Sequence, residues 1–310
     1  MNTTAIKTDD KFINAILEKL EEVNPSEWEN FTKNFKLQFP RNAITKKQYK
    51  GFNILCLLMW DIMPKQRFIY DFMTFNQITK RSGKLKKGSK GIPIEFFSIV
   101  IRNKTTRQKI TVEQYSGMSD EERRNYDRYF NRKQYFVFNI ADIENLAELD
   151  LTPIENEEES ADFEENTTAE ELLQNLINNK GLKLEYHAGG AAYYSPMFDK
   201  ITLPERQFFI STEKFYCTLF HEVVHWTGHQ NRLNRDLEND FGSSAYSFEE
   251  LIAEIGSMLI NFEIGILDEF VNSVRYLKGW LKHTKREETQ AEQLREALTE
   301  SKKAVKFIKE

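Results

Sequence analysis

His221-Glu222-Val223-Val224-His225 lies inside a run of helical character that starts near Lys214, and it sets the reading of the second half of the chain. At helical spacing His221 and His225 stand one turn apart on one face, so two imidazoles can meet a single metal ion. Glu222 lies beside them, where it can take a proton from a water that the ion polarises. Such a five-residue pattern also recurs by chance in unrelated helices, as a solvated surface face. Its surroundings argue for a site. Phe215, Leu219, Phe220, Val223, Val224 and Trp226 make this helix strongly apolar, and half-buried polar groups without a partner are costly. Gly228 is expected to break the helix.

A catalytic zinc usually takes three protein ligands and leaves a fourth position for water. Three sources of the third ligand compete. His229 lies two turns from His221, about 12 Å along a straight helix. The chain resembles the metzincin pattern HExxHxxGxxH only in part, since Asn231 stands where its third histidine falls. Cys217, one turn before His221, reads as a small core residue. The stretch Phe248-Glu-Glu-Leu-Ile-Ala-Glu-Ile-Gly256 is the best source: Ser247 can cap a helix there, and Glu250 and Glu254 sit one turn apart on its inner face. An acid pair at this spacing on a second helix resembles the gluzincin arrangement. That resemblance implies Glu250 as third ligand and Glu254 as the group that orients a ligand histidine. Glu249, about 100° away around the helix, is the reserve. Histidine and carboxylate donors suit zinc and also admit manganese or iron. Upstream, His187 to Tyr194 and Asp199 to Pro204 suggest a glycine-bearing turn and an edge strand, able to hold an extended peptide by strand addition. Tyr193, Tyr194 and Tyr246 are candidates to polarise a carbonyl, although packing is the commoner use of a tyrosine.

The chain has 310 residues, a length that suits two domains, and its 40% hydrophobic content with 24 Phe and 12 Tyr excludes wholesale disorder. The longest apolar run free of charge, Gly51 to Trp60, is about half a membrane span. No secretory leader is expected, and Cys56 and Cys217, far apart in sequence, read as reduced, buried thiols. The expectation is a cytoplasmic protein with no membrane partner. The net charge of -5 conceals a partition. Lys33 to Ala141 holds 23 Lys/Arg against 8 Asp/Glu, whereas Asp142 to Glu171 holds 13 acidic residues and no basic one. Such a balance points to one module that binds polyanions and another that does not.

Apolar spacing predicts a helix over 11–22 and a buried helix from Gly51 to Met63 that stops before Pro64. Thr74 to Lys80 is amphipathic, Ile92 to Ile101 and Lys109 to Gln114 read as strands, 119–132 as a charged surface excursion, and Tyr135 to Ile140 as a closing strand. The first domain is therefore α+β. Residues 144–168 hold most of the acidic block and read as a flexible linker. A helix over 169–179, a strand over 182–187, a hairpin from Tyr193 to Leu203 and then mainly helices follow. The division expected is 1–143, 144–168 and 169–310. Lys84, Lys86, Lys87 and Lys90 form the densest basic cluster. With aromatics such as Tyr49, Phe52, Phe72, Phe75, Phe96 and Phe97 interleaved, it fits a groove that pairs phosphates and stacks bases.

The extended block His221-Glu-Val-Val-His-Trp-Thr-Gly-His229, the following Arg232-Leu-Asn-Arg235, and the stretches AAYYSPMFDKITLP, FEELIAEIG and YLKGWL resemble the C-terminal domain of ArdC-type antirestriction proteins. PRNAITKKQYKGFN from Pro40, MTFNQ from Met73 and the KLKKGSKGIPI turn resemble the N-terminal domain of that family. Lys47 departs from a glycine in its pattern, and the tryptophan-rich segment is reduced to Trp28 with Phe31 and Phe35. The resemblance implies a small basic α+β domain that binds single-stranded DNA, joined to a mainly helical, zincin-like metallopeptidase domain with a small sheet. It also implies a role on mobile elements, shielding incoming DNA from host restriction. Zinc, with manganese as an alternative, and a host restriction subunit or other DNA-bound protein as substrate, are the expected cofactor and partner. Two alternatives stay open: a DNA-shielding protein whose metal is only structural, and a protease that clears DNA–protein crosslinks.

Overall fold

The computed structural model describes residues 11–28, 37–67, 69–149, 151, 165–188, 191–237, 243–267, 269–284 and 288–310. In chain order the principal elements are α1 (Lys11–Glu22), β1 (Arg41–Asn42), α2 (Phe52–Leu57), β2 (Asp71–Thr74), α3 (Phe75–Lys80), β3 (Ile92–Asn103), β4 (Lys109–Ile110) and β5 (Tyr126–Asn139). They continue as α4 (Thr167–Lys180), β6 (Lys183–His187), β7 (Tyr193–Ser195), β8 (Lys200–Pro204), α5 (Thr212–Thr227), α6 (Ser244–Ile264), α7 (Phe270–His283) and α8 (Gln290–Lys309). The chain packs into two compact units. One joins the residues up to Asp71 with those from Leu151 onward, and the other is Phe72–Asp150.

The first unit is built on α6, which packs against α5, α7 and α8. Its apolar content is high all round, as a central helix requires: Leu251, Ile252, Ala253, Ile255 and Ile260 are all buried. α1 turns Phe12, Ile13, Ile16 and Leu20 inward and packs against α7 and α8. Beyond α1, the Lys278 ammonium on α7 donates to the Val23 carbonyl at 2.7 Å, and Trp28 stacks on Phe270 with centroids 6.2 Å apart. The expected boundary at 143 therefore does not coincide with a compact unit. The apolar stripe of α1 finds its cover on helices more than two hundred residues later. Gly51 opens α2 at φ 57 and ψ -137, a conformation that only glycine adopts easily. The helix does not stop before Pro64. It widens into a π-helical turn, Leu58–Ile62, in which the Met63 amide reaches the Leu58 carbonyl five residues back, and a last turn, Met63–Lys65, then carries the proline. A three-stranded sheet in the order β6-β8-β7 lies beside α5, with β6 parallel and β7 antiparallel to β8.

In the second unit β5 is flanked by β2 and β3, and β4 adds to β3, all antiparallel. β3 and β5 form a long ribbon paired from Ile92↔Val137 to Asn103↔Tyr126. Two expectations fail here. Lys109 to Gln114 is a strand only at Lys109–Ile110, because Thr111 caps a short helix, Val112–Ser116, in a capping box with Gln114. The 119–132 stretch is a loose excursion only as far as the short helix Asp120–Arg123, after which the alternating residues from Tyr126 enter β5. The start of the expected linker is also ordered: Leu85 bridges Ile143, and the Glu144 amide donates to the Lys84 carbonyl at 2.7 Å. Its far end, Asn166, caps α4. Residues 152–164, the middle of that acidic segment, lie outside the described residues. Among the described residues no helix is long and apolar enough to cross a membrane.

Because α1 completes the core of the first unit, Ile16→Ala should destabilise that unit by about 2–5 kcal/mol. Chemical denaturation, followed by the fluorescence of Trp226 and Trp280, measures the loss. An unchanged midpoint would mean that α1 is dispensable.

Candidate metal centre

α5 is capped by Ser211, whose side chain accepts the Lys214 amide, and runs sixteen residues from Thr212 to Thr227. α6 begins earlier than Ser247. Ser243 is its cap, accepting the Tyr246 amide, and Ser247 lies inside the helix with its hydroxyl donating to the Ser243 carbonyl. The two helices approach closely at Gly256. A Cβ there would lie 2.8 Å and 3.0 Å from the two Cγ atoms of Val224, so only glycine leaves room for the histidine-bearing helix.

This approach brings His221, His225 and Glu250 together, with one ligand atom of each within 4.8 Å of the others. The two imidazole Nε2 atoms are 3.2 Å apart. Glu250 places Oε2 at 3.3 Å from His221 Nε2 and Oε1 at 3.6 Å from His225 Nε2. Ligands bound at 2.0–2.2 Å around a tetrahedral ion lie about 3.3–3.6 Å from one another, so the triangle fits one small divalent cation. Glu254 Oε1 is 3.4 Å from His221 Nδ1, on the far side of that ring from the triangle. Glu222 is buried and lines the adjoining cleft.

The charges are mutually supporting. Burial opposes a charged His221, but the carboxylates of Glu250, Glu254 and Glu222 outweigh it and lift its pKa to about 9. Burial would likewise raise Glu250, but the hydrogen bond with His221, the two imidazoles and the Tyr246 hydroxyl hold it down at about 2. Burial and the nearby Glu250 push Glu254 upward.

Sequence reasoning missed several partners. Glu249 points away from the triangle, and its Oε1 lies 3.0 Å from His225 Nδ1. Arg235 clamps the same carboxylate with two bonds of 2.9 Å and donates to the Val224 carbonyl at 2.7 Å. Each imidazole thus has its own carboxylate behind it, which fixes ring orientation. Gly228 matters here less as a helix breaker than as space. Its φ of -75° is helical, and a Cβ would meet Arg235 Nη2 at 2.9 Å. Arg232 stacks on Trp226 with its guanidinium carbon 4.0 Å from the ring centroid. It also pairs with Asp199, which accepts the Tyr194 hydroxyl at 2.9 Å. Tyr194 is thereby engaged in holding the β7–β8 hairpin, while Tyr246 donates to Glu250 and meets Trp280 edge-on. Tyr193 is exposed. His229 accepts the Asn231 amide, and Cys217 Sγ accepts the Asn261 amide at 3.1 Å, so neither belongs to the triangle. Cys217 is half-buried and Cys56 fully buried, both as free thiols.

A cleft of about 340 Å³ opens onto the triangle, lined by Tyr193, Pro196, Leu237 and Tyr246 along with the histidines and acids. β7 is an edge strand of its sheet and borders this cleft. In the other unit Lys84, Lys86, Lys87 and Lys90 are all exposed on the turn before β3. Lys86 commits its ammonium to the Ala141 carbonyl at 2.8 Å.

Residues 171–293 match the zincin-like metallopeptidase family, and residues 7–138 match the N-terminal domain of the anti-restriction factor ArdC. The fold and its histidine pair thus define a zincin-like metallopeptidase domain behind an ArdC-type N-terminal domain. Taken together, these two matches make the chain similar to ArdC-type antirestriction proteins over most of its length. Over 96% of its length it superposes on the metal-free crystal structure of the antirestriction ArdC protein from the R388 plasmid, covering 95% of that chain with a TM-score of 0.59 at 25% identity. The Mn(II)-bound structure of the same protein gives a TM-score of 0.58 at 26% identity, with the same coverage of both chains. A DNA primase TraC of Escherichia coli is 33% identical over 246 residues, 78% of this chain but only 16% of that protein.

Two outcomes follow from the geometry. Gly256→Ala should destabilise the first unit by about 1–3 kcal/mol and weaken manganese or zinc binding, because Val224 cannot yield without moving α5. Metal titration of the folded variant tests this, and undiminished affinity would exclude the contact as the spacer. Protons and the cation compete for the same atoms, so metal uptake near pH 7 should expel about one proton from His221. Affinity should then rise about tenfold per pH unit up to about pH 9. Calorimetry in buffers of differing ionisation enthalpy reads the proton directly.

Proposed function

We propose that this protein is a two-module antirestriction factor that binds single-stranded DNA through its basic N-terminal module and hydrolyses peptide bonds at a zinc centre held by His221, His225 and Glu250. The observation that carries the reading is the triangle itself, three donors at tetrahedral spacing with a buried glutamate beside them on an open cleft. Two histidines and one glutamate are a donor set of catalytic zinc sites. The Mn(II)-bound relative supports a divalent ion, and manganese is the alternative occupant. When bound, the ion supplies Lewis acidity toward a carbonyl and a water.

The chain's own residues do the rest. A substrate segment adds to the free edge of β7 in extended form, which presents its backbone to the cleft. Glu222 takes the proton of the attacking water and returns it to the departing amine. Glu254 and Glu249 hold the two imidazoles in place, and Tyr246 fixes Glu250. The 15-unit excess of positive charge between Lys33 and Ala141 supports the DNA-binding half, with Lys84, Lys87 and Lys90 offered to phosphates. Such a factor acts in the cytoplasm on proteins bound to incoming DNA, a restriction subunit among them.

Glu222→Gln separates the parts. It should retain metal content, folding and single-strand binding yet lose cleavage of DNA-bound protein, by at least about 100-fold. It should also fail to protect conjugatively transferred DNA in a restricting host. Protection that survives the substitution would reduce the role to DNA shielding with a structural metal. Cleavage that survives would remove Glu222 as the base.

A further inference from the structure

The register of the long ribbon sorts its side chains onto two faces. On one face Ile94 pairs with Tyr135, Phe96 with Lys133 and Val100 with Tyr129. Farther along, Arg102 lies opposite Asp127 and beside Lys109 of β4. Toward the core this face closes over Ile92, Ile94 and Val137, all buried. Beyond them it opens: Phe96 is 56% exposed, Tyr129 45% and Tyr135 39%. Phe96 and Tyr135 meet edge-on with centroids 6.5 Å apart, which leaves ring faces of both free to solvent. On the opposite face Phe136 is also exposed, but Tyr115 of the short helix Val112–Ser116 packs against Tyr126 and lies under Arg128, so that face is covered toward the far end of the ribbon.

A two-stranded ribbon gains little stability from rings left in water, and a line of exposed aromatics invites aggregation. The charges along this face are mostly positive. Lys133 and Lys109 are exposed, and Arg102 Nε, shut off from solvent, has no hydrogen-bond partner among the described residues. The one carboxylate, Asp127, accepts the Tyr129 hydroxyl at 3.0 Å. Aromatic rings alternating with cations along roughly 27 Å of strand suit a chain of flat rings joined by phosphates. Bases in a duplex already stack on one another, so only an unpaired strand offers them to protein rings.

We propose that this face of the ribbon, with Phe96 and Tyr135 at its centre, is the base-stacking surface for single-stranded DNA, while Lys133, Lys109 and Arg102 take phosphates. The inference rests on the single-strand reading above and relocates its binding energy. The Lys84–Lys90 turn then adds only salt-sensitive attraction, and the ribbon adds stacking, which salt does not screen.

The test uses the full chain, with oligo(dT) and an abasic strand of equal length as probes. The wild type should prefer oligo(dT). Phe96→Ala with Tyr135→Ala should lose about tenfold or more in affinity for oligo(dT), with the preference gone and the dependence on salt unchanged. Lys133→Gln with Lys109→Gln should instead flatten the slope of log affinity against log salt, by about 0.7 per lost phosphate contact. Phe96→Trp keeps a ring, so it should keep affinity and add an indole fluorescence signal that saturating oligo(dT) quenches. Wild-type binding that is kept by the double alanine variant, or an added indole signal indifferent to bound DNA, would overturn the platform. A wild type that binds neither strand would overturn the single-strand reading itself, and the platform with it.

Discussion

Four glutamates converge on two histidines where α5 and α6 meet, and in so little water each carboxylate needs positive charge within reach. Glu249 takes it from Arg235 and His225, and Glu250 from the facing imidazoles, while Glu254 sits behind His221 with its pKa pushed up. The surrounding architecture serves that arrangement. Gly256 lets the helices approach, Gly228 lets Arg235 cross the end of α5, and α8 backs the pair from behind. There the Ser301 hydroxyl donates to the Ile252 carbonyl at 2.9 Å, and Phe307 packs near the Trp226 ring. Removing one partner from such a cluster leaves a buried charge exposed to its neighbours' repulsion, so the site and the stability of the unit are one problem.

The two units carry different chemistry on different physical principles. The histidine–glutamate cluster is small, buried and held by many hydrogen bonds, and a cation site of this kind depends on geometry good to a fraction of an ångström. The ribbon of the second unit instead offers an exposed aromatic stripe, set by strand register and not by a buried hydrogen-bonded cluster. The relation to the compact units is uneven, since the N-terminal family match begins within the helix-rich unit and ends in the sheet of the other.

Much of this is legible in the chain. The spacing of His221 and His225, the one-turn interval between Glu250 and Glu254, the helix over 11–22 and the hairpin from Tyr193 all follow from local periodicity. The features that local pattern misassigns share a cause. Gly228 reads as a helix breaker, because nothing local tells that Arg235 returns across it; that return depends on the loop that carries the Arg235 amide to the Gly228 carbonyl. Ser247 reads as a cap although Ser243, four residues earlier, is an equally good one. Glu249 reads only as a reserve ligand because its partner Arg235 lies fourteen residues away in sequence.

Sequence alone determined what repeats at short range: which residues share a helix face, where a turn needs glycine, and which donors could meet one ion. Tertiary structure decided which of those faces meet. α1 joins helices of the far end of the chain, and Glu249 serves His225 in place of the ion. The alternation of Tyr129, Lys133 and Tyr135 becomes a continuous stripe only when β5 pairs with β3. The physical reason is range. Backbone geometry and side-chain periodicity act within a turn or two, whereas burial and charge pairing act between surfaces that the whole fold brings together.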